Sequence, residues 1–382
     1  MLQNFDIAIT GGGPVGLALA LALRDSGLQV TLLEARKAQE TGTDPRALAL
    51  SYGSRLLLEQ MGVWQQLTQV SPIRTIHVSQ QHAFGRTLLQ ATDLKVPELG
   101  YVLPYAALHA ALLQAVSNSA VEFIQGANVQ ALNPQAGHAG LTYLHEGQQH
   151  DLQAKLVVVA DGGKLLETSH PPMTHDYGQS ALIAHVTCSA PLPDTAFERF
   201  TPHGPLALLP YRDGYELVWT TPNAGLDAML ALDDASLLAE LHARFGDRVG
   251  HFLSIGPRHS FPLKMKRSPS VTLQHTVLIG NAAQTLHPVA GQGFNLGLRD
   301  AWSLARVIQR QPEALGEPAM LQAYLDTRRA DRKAGMAFTD GLVRLFSNNL
   351  PLLDTTRAAS LSLLDCLPGV KKFVARRMML GA

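Results

Sequence analysis

The sequence predicts an α/β protein in which a Rossmann-like dinucleotide-binding domain is interleaved with an antiparallel-sheet domain and followed by C-terminal helices. Three observations carry this expectation. A short apolar strand at the N-terminus runs straight into a glycine-rich turn and an apolar helix. Two later apolar runs, at 155–163 and 275–280, also end in glycine-containing turns, as strands of a doubly wound sheet do. Between them, residues 180–220 change to alternating, hairpin-like patterning.

The first of these elements is the most informative. Residues Phe5 to Thr10 read as a buried strand, Gly11-Gly12-Gly13-Pro14-Val15-Gly16 follows at once, and a helical run of Leu and Ala closes on Gly27. A second strand, Gln29 to Leu33, ends on Glu34, eighteen residues after Gly16. In this context Gly11 serves the tight turn, Gly13 the approach of a pyrophosphate, and Gly16 the close packing of helix on strand. The phosphates would sit at the helix N-terminus, and Glu34 would accept hydrogen bonds from an adenosine ribose. The motif alone leaves FAD and NAD equally open.

Composition narrows the partners. The chain has 382 residues, 46% apolar and 16% charged, with 31 basic and 31 acidic side chains. Zero net charge argues against nucleic acid as the main partner, while a mean hydropathy of +0.04 leaves room for a lipophilic one. Cys188 and Cys366 stand far apart with no metal-ligand spacing, so no metal is expected and a reducing, cytoplasmic setting is. The longest early apolar run, Pro14 to Leu23, is too short to cross a bilayer.

Two later segments bear on the cofactor. The run from Lys155 ends in Asp161-Gly162, and the run from His275 to Gly280 is followed by Asn281 and a long stretch punctuated by Gly291, Gly293 and Gly297. A loop of this kind feeding a helix start gathers backbone N–H groups around an anion that develops during reaction. Together with the first motif, the Asp161-Gly162 strand end and the stretch GNAAQTLHPVAGQGFNLGLRDA resemble the class A flavoprotein monooxygenases, whose fold is that of para-hydroxybenzoate hydroxylase. The wording at 284–300, with residues 44–50 and 198–219, resembles most the 2-polyprenyl-6-methoxyphenol hydroxylases of ubiquinone biosynthesis.

That resemblance implies FAD as cofactor, NADH or NADPH as co-substrate, and hydroxylation of a lipophilic phenol by O2 through a flavin C4a-hydroperoxide. It places Glu34 on the adenosine ribose, Arg46 beside the flavin and pyrophosphate, and Asp161 with Gly162 in the motif that links FAD to NAD(P)H. It places Gly280 and Asn281 at the ribityl chain. Pro288, Gly291, Gln292, Gly293, Phe294 and Asn295 would flank the isoalloxazine. No acid or base is assigned; among the histidines His287 has the best context, and a purely structural role in the loop is at least as readable. Two departures stand out: Asn281 replaces the usual Asp, and Gly163 to Glu167 replace the usual Ser and Arg beyond the Asp-Gly pair.

By the same reading, segments 1–70, 100–178 and 263–335 form a discontinuous FAD-binding domain. Segments 71–99 and 179–262 form the substrate domain, and 336–382 a C-terminal helical segment. One helix is expected over Asp227 to Phe245. Leu206, Leu208 and Trp219 are candidate walls of a substrate pocket, though any single one reads more readily as ordinary core. The tail from Leu367 carries Lys371, Lys372, Arg376 and Arg377 for anionic lipid, with Phe373, Val374 and Met378 to enter the interface. It is a candidate for peripheral contact with the inner face of a membrane or with a biosynthetic complex; a solvated helix packed on the body is the plainer alternative. The oligomeric state is not legible. Rival readings are a hydroxylase of a small soluble aromatic, a non-catalytic FAD-fold subunit, and a flavin-free nicotinamide dehydrogenase. The last leaves the stretch from Gly280 to Asp300 unexplained. The three tryptophans form no halogenase motif.

Overall fold

The N-terminal strand, Gln3–Thr10, is the centre of a parallel sheet. Val30–Glu34 and Gln148–Val159 flank it, so Ile9 lies level with Leu32 on one side and Val158 on the other. Glu122–Gln125 and Thr276–Leu278 extend the sheet outward, also in parallel. The computed structural model of the chain describes residues 3–37, 44–285, 292–346, 363 and 365–381.

Side chains of a strand alternate between faces, and the two faces of this sheet meet different partners. Ile7, Ile9, Leu32, Leu156 and Val158 pack against the helices Pro14–Leu23, Tyr105–Ser117 and Gln292–Arg310. Ala8, Leu33, Val157 and Val159 pack instead against an antiparallel hairpin, Asn128–Gln135 with His138–His145, through Leu141 and Tyr143. With both faces covered, the strands read as continuous apolar runs, the usual signature of a parallel sheet. The helix Pro14–Leu23 has only Val15 and Ala22 less than fully buried, as a helix apolar on every side must be.

A second, nine-stranded sheet stands beside it and is mostly antiparallel. Its middle is formed by Met173–Cys188, Gly214–Pro222, Gly204–Tyr211 and Thr195–Thr201; the last pairs in parallel with Thr75–Gln80, which pairs with Arg86–Gln90. The expected domain limits at 178/179 and 262/263 fall inside the strands Met173–Cys188 and His259–Arg267, which pair with each other. Ser71–Ile73 belongs to a separate three-stranded sheet with Ala47–Ser51 and Gly100–Pro104.

The helix expected over 227–245 is two helices, Asn223–Leu230 and Asp234–Phe245. The break is set by Asp233, whose side chain accepts from the Ser236 N–H and so caps the second helix. These helices cover one face of the nine-stranded sheet and bury Leu206, Leu208, Leu217 and Trp219 with Leu237, Leu241 and Phe245.

The late helices are held by buried charge. Asp300, 0% exposed, accepts from the Gly280 N–H at 3.2 Å and from Arg328 Nε at 2.8 Å. Arg328 also bonds Asp331 at 2.6 Å, and Asp331 takes Arg299 Nε at 2.8 Å. The chain of charges ties the turn at 280 to both long C-terminal helices, Gln292–Arg310 and Pro318–Phe346. Removing one member strands the others in a low dielectric. Asp300→Ala is therefore expected to lower the unfolding free energy by about 3–5 kcal/mol in urea titration, and a loss under about 1 kcal/mol would show the network to be solvated.

Candidate active site

The first strand delivers the chain to Gly11, whose φ of +102° sets the turn. A Cβ on Gly16 would stand 2.0 Å from the Gly11 carbonyl oxygen, so helix and turn meet at a distance only glycine allows. Gly13 is the N-cap, in extended conformation, with no side-chain cap and with Pro14 next to it. A Cβ there would meet nothing within 4 Å. The helix thus presents an open, uncapped N-terminus, the arrangement that takes a phosphate.

Glu34 ends the second strand, only 6% exposed. Its Oε2 accepts from the Gly12 N–H at 2.6 Å, and its Oε1 accepts from Arg36 N at 2.9 Å and Arg36 Nε at 2.8 Å. Burial pushes this carboxyl upward, but the Arg36 guanidinium and the two N–H donors outweigh it and hold it below the usual range. Glu34 is ionised at neutral pH. The stability this pairing gives is present above the ordinary carboxylate range and is lost as pH falls through the depressed value.

These groups form one end of a cavity of about 950 Å³. Its floor passes Arg46 to Ser51, Ala160 to Gly162, Gly280 and Asn281, and Gly293 to Asn295. Arg46 is paired with Asp44, Nε to Oδ1 at 2.8 Å, and lies 5.7 Å from the Tyr105 ring and 5.2 Å from the Phe261 ring. Asp161 accepts from the N–H groups of Gly163 (2.8 Å) and Leu165 (2.7 Å), which fixes the turn after the strand. That turn points Lys164 into the cavity, in the stretch where the sequence lacks the usual Ser and Arg.

Asn295 lines the cavity but its amide is engaged elsewhere. Its Oδ1 accepts from Ser51 N at 2.8 Å and Ser54 Oγ at 2.7 Å, and its Nδ2 donates to the Ala49 carbonyl at 2.9 Å. It stitches the helix Gln292–Arg310 to the strand Ala47–Ser51. Asn281 is exposed toward the cavity. His287, Pro288 and Gly291, and the side chain of Gln292, lie outside the described residues.

The far end of the cavity is the nine-stranded sheet, where the expected wall residues are corrected. Leu206, Leu208 and Trp219 are 0%, 0% and 1% exposed and face the helices, on the opposite side from the cavity. Their strand neighbours Pro205, Ala207, Leu209, Val218 and Thr220 line it, with Ile183, Ala196 and Glu198. One step along a strand changes the face, and both faces here are buried. Sequence reasoning also missed Arg36, Lys164, Glu198 and the C-terminal Met378 and Met379, all at the cavity. Only Arg36, two residues past Glu34, carried a sequence signal.

The fold and site define a dinucleotide-binding protein whose cradle opens, through one cavity, onto a second sheet. A family model described as FAD binding domain matches residues 4–339, and the chain belongs to this family of class A flavoprotein monooxygenases. The chain is 33% identical to ubiquinone hydroxylase UbiL of Rhodospirillum rubrum, covering 98% of this chain and 89% of that protein. It is 32% identical to 3-demethoxyubiquinol 3-hydroxylase of Escherichia coli, over 99% of both. The crystal structure of p-nitrophenol 4-monooxygenase PnpA from Pseudomonas putida superposes with a TM-score of 0.81 at 16% identity, covering 100% and 99% of the two chains, and shows the same fold. FAD is the cofactor, and NAD(P)H is the co-substrate typical of the family.

Asn281 can accept a hydrogen bond from a ribityl hydroxyl without the charge that an Asp brings. Asn281→Asp is expected to lower the FAD dissociation constant roughly 3- to 10-fold, about 0.7–1.4 kcal/mol, measured by flavin fluorescence quenching. An unchanged constant would remove residue 281 from the ribityl contact.

Proposed function

We propose that this enzyme hydroxylates the aromatic ring of a polyprenylated phenol in ubiquinone biosynthesis, using NAD(P)H and O2. The observation that carries the reading is the continuity of the cavity. One space joins the phosphate-binding helix terminus, the Arg46 and 280–295 floor, and a chamber walled by Ile183, Ala196, Ala207, Leu209 and Val218. When bound, FAD takes electrons from NAD(P)H and activates oxygen. The chain's share of the work is positional. Glu34 and the helix N-terminus hold the adenosine and phosphate end, and Arg46, Asn281 and the backbone at 293–295 hold the flavin end. The apolar sheet wall excludes water, while Glu198 and Thr220 bring polar groups that orient the phenol. Glu198 is the residue we assign to the phenol oxygen.

FAD-loaded protein given NAD(P)H, 18O2 and a prenylated methoxyphenol is expected to yield a product carrying one labelled oxygen in its mass spectrum. Consumption of NAD(P)H with peroxide as the sole product would overturn the substrate class.

We also propose that the outer face of the C-terminal helix, Pro368–Leu380, rests on an anionic membrane surface from which the substrate is drawn. No described helix is long and apolar enough to cross a membrane. Phe373 is 67% and Leu380 49% exposed, and Arg376 is exposed beside them. This face keeps Phe373 and Arg376 of the sequence reading but not Lys371 or Met378. Lys371 is committed to Asp93 and Asp365, and Met378 turns inward to the cavity. In flotation with anionic phospholipid vesicles, Phe373→Glu is expected to reduce binding at least about tenfold; equal flotation of the variant would dismiss the contact.

A further inference from the structure

The C-terminal helix has two apolar faces, and its inner one belongs to the cavity. Met379, 5% exposed, and Met378 line the space that the dinucleotide cradle opens into. The helix is pressed against the body at several points. The Met379 carbonyl lies where a Cβ on Gly53 would approach to 2.6 Å. Lys371 Nζ sits 3.3 Å from both Asp93 and Asp365, and Asp365 in turn accepts from the Leu88 N–H. The wall is therefore fixed, not draped.

What this wall continues is an apolar band. Met378 and Met379 pack in one cluster with Ile76 and Leu99. Ile76 also packs in the neighbouring cluster with Ala196 and Leu209, the residues that wall the sheet end of the cavity. An apolar path thus runs from the sheet chamber past Ile76 to the inner face of the C-terminal helix. Two thioethers at its end suit a flexible chain, since methionine adapts its shape to what it packs against.

We propose that this band is the subsite for the substrate's hydrocarbon tail, and that Met378, Met379 and Ile76 set preference for tail length. The ring stays at the sheet chamber while the tail runs beneath the C-terminal helix toward the surface that carries Phe373 and Leu380. The inference rests on the prenylated-phenol reading above, but it adds a site that the hydroxylation chemistry does not require.

The test compares kcat/KM for two substrates with the same methoxyphenol ring, one with a single prenyl unit and one with several. Met379→Trp fills the path and is expected to lower the long-to-short ratio at least about tenfold relative to wild type. Peroxide release should rise with the long substrate. Ile76→Trp blocks the same path from the opposite side, so it should lower the ratio as well, which keeps the test decisive if the Met379 variant does not fold. A ratio within about twofold of wild type in either folded, FAD-loaded variant overturns the tail subsite. Wild-type protein that hydroxylates neither substrate overturns the substrate reading itself, a result distinct from wild-type turnover with undiscriminating variants.

Discussion

Three stretches of backbone distant in sequence meet at Val15, and the flavin site depends on their doing so. Val15 stands in the first turn of the first helix, between the glycine turn and Gly16. On its outer side the helix Gln292–Arg310 comes so near that a Cβ on Gly297 would lie 2.8 Å from Val15 Cγ2 and 3.2 Å from the Gly280 Cα. Protein interiors pack at crystal density and do not stretch to admit a methyl group at such distances. The closeness brings the uncapped terminus of one helix and the start of another to a common cavity. Asp300 then locks the arrangement, because its carboxylate holds the Gly280 N–H from within the second helix. Asp300 and Asn295 stand in a stretch whose residues look as if they serve the cofactor. Their side chains serve the backbone that surrounds it.

The fold was legible for the same reason. Glycines spaced for a strand, turn and helix, followed by an acidic strand end, permit few arrangements, and the Leu and Ala of 17–23 fit no exposed helix. The nine-stranded sheet was harder. Gly204–Tyr211 and Gly214–Pro222 are buried on both faces, one under helices and one over the cavity. Alternation tells which side chains share a face; it cannot tell which of two apolar faces meets a ligand. Leu206, Leu208 and Trp219 are the bulkier set, and bulk is what a helix-covered core selects. The cavity face carries Pro205, Ala207 and Val218 beside Leu209, a set that is smaller on balance and leaves space. Size, more than hydrophobicity, was the usable signal.

Other parts of the site left no local trace. Met378 and Met379 reach the cavity across a separation of more than 300 residues from Gly53 and Ile76, and nothing near residue 378 announces that contact. Read alone, the tail is a basic segment with apolar residues at helical spacing, and its charges suggest a uniform use. The structure divides them: Lys371 is spent on two aspartates within the fold, while Arg376 remains outside with Phe373. Partition of this kind is decided by the surface a helix docks on, and that surface is built from residues 50–100.

Glu34 is held from two sides. Its carboxylate holds both the Gly12 N–H and the Arg36 side chain. A carboxylate has about four lone-pair sites, so three accepted bonds leave room for one ribose hydroxyl without breaking any of them. A second hydroxyl would have to displace a donor, and the Arg36 side chain is the one at the cavity that can move, since the backbone N–H groups are fixed by the turn. In this structure Glu34 keeps the glycine turn folded and holds the Arg36 cation at the cavity. Both contacts need an ionised Glu34, and the donors around it hold its carboxyl below the usual range against the opposing effect of burial.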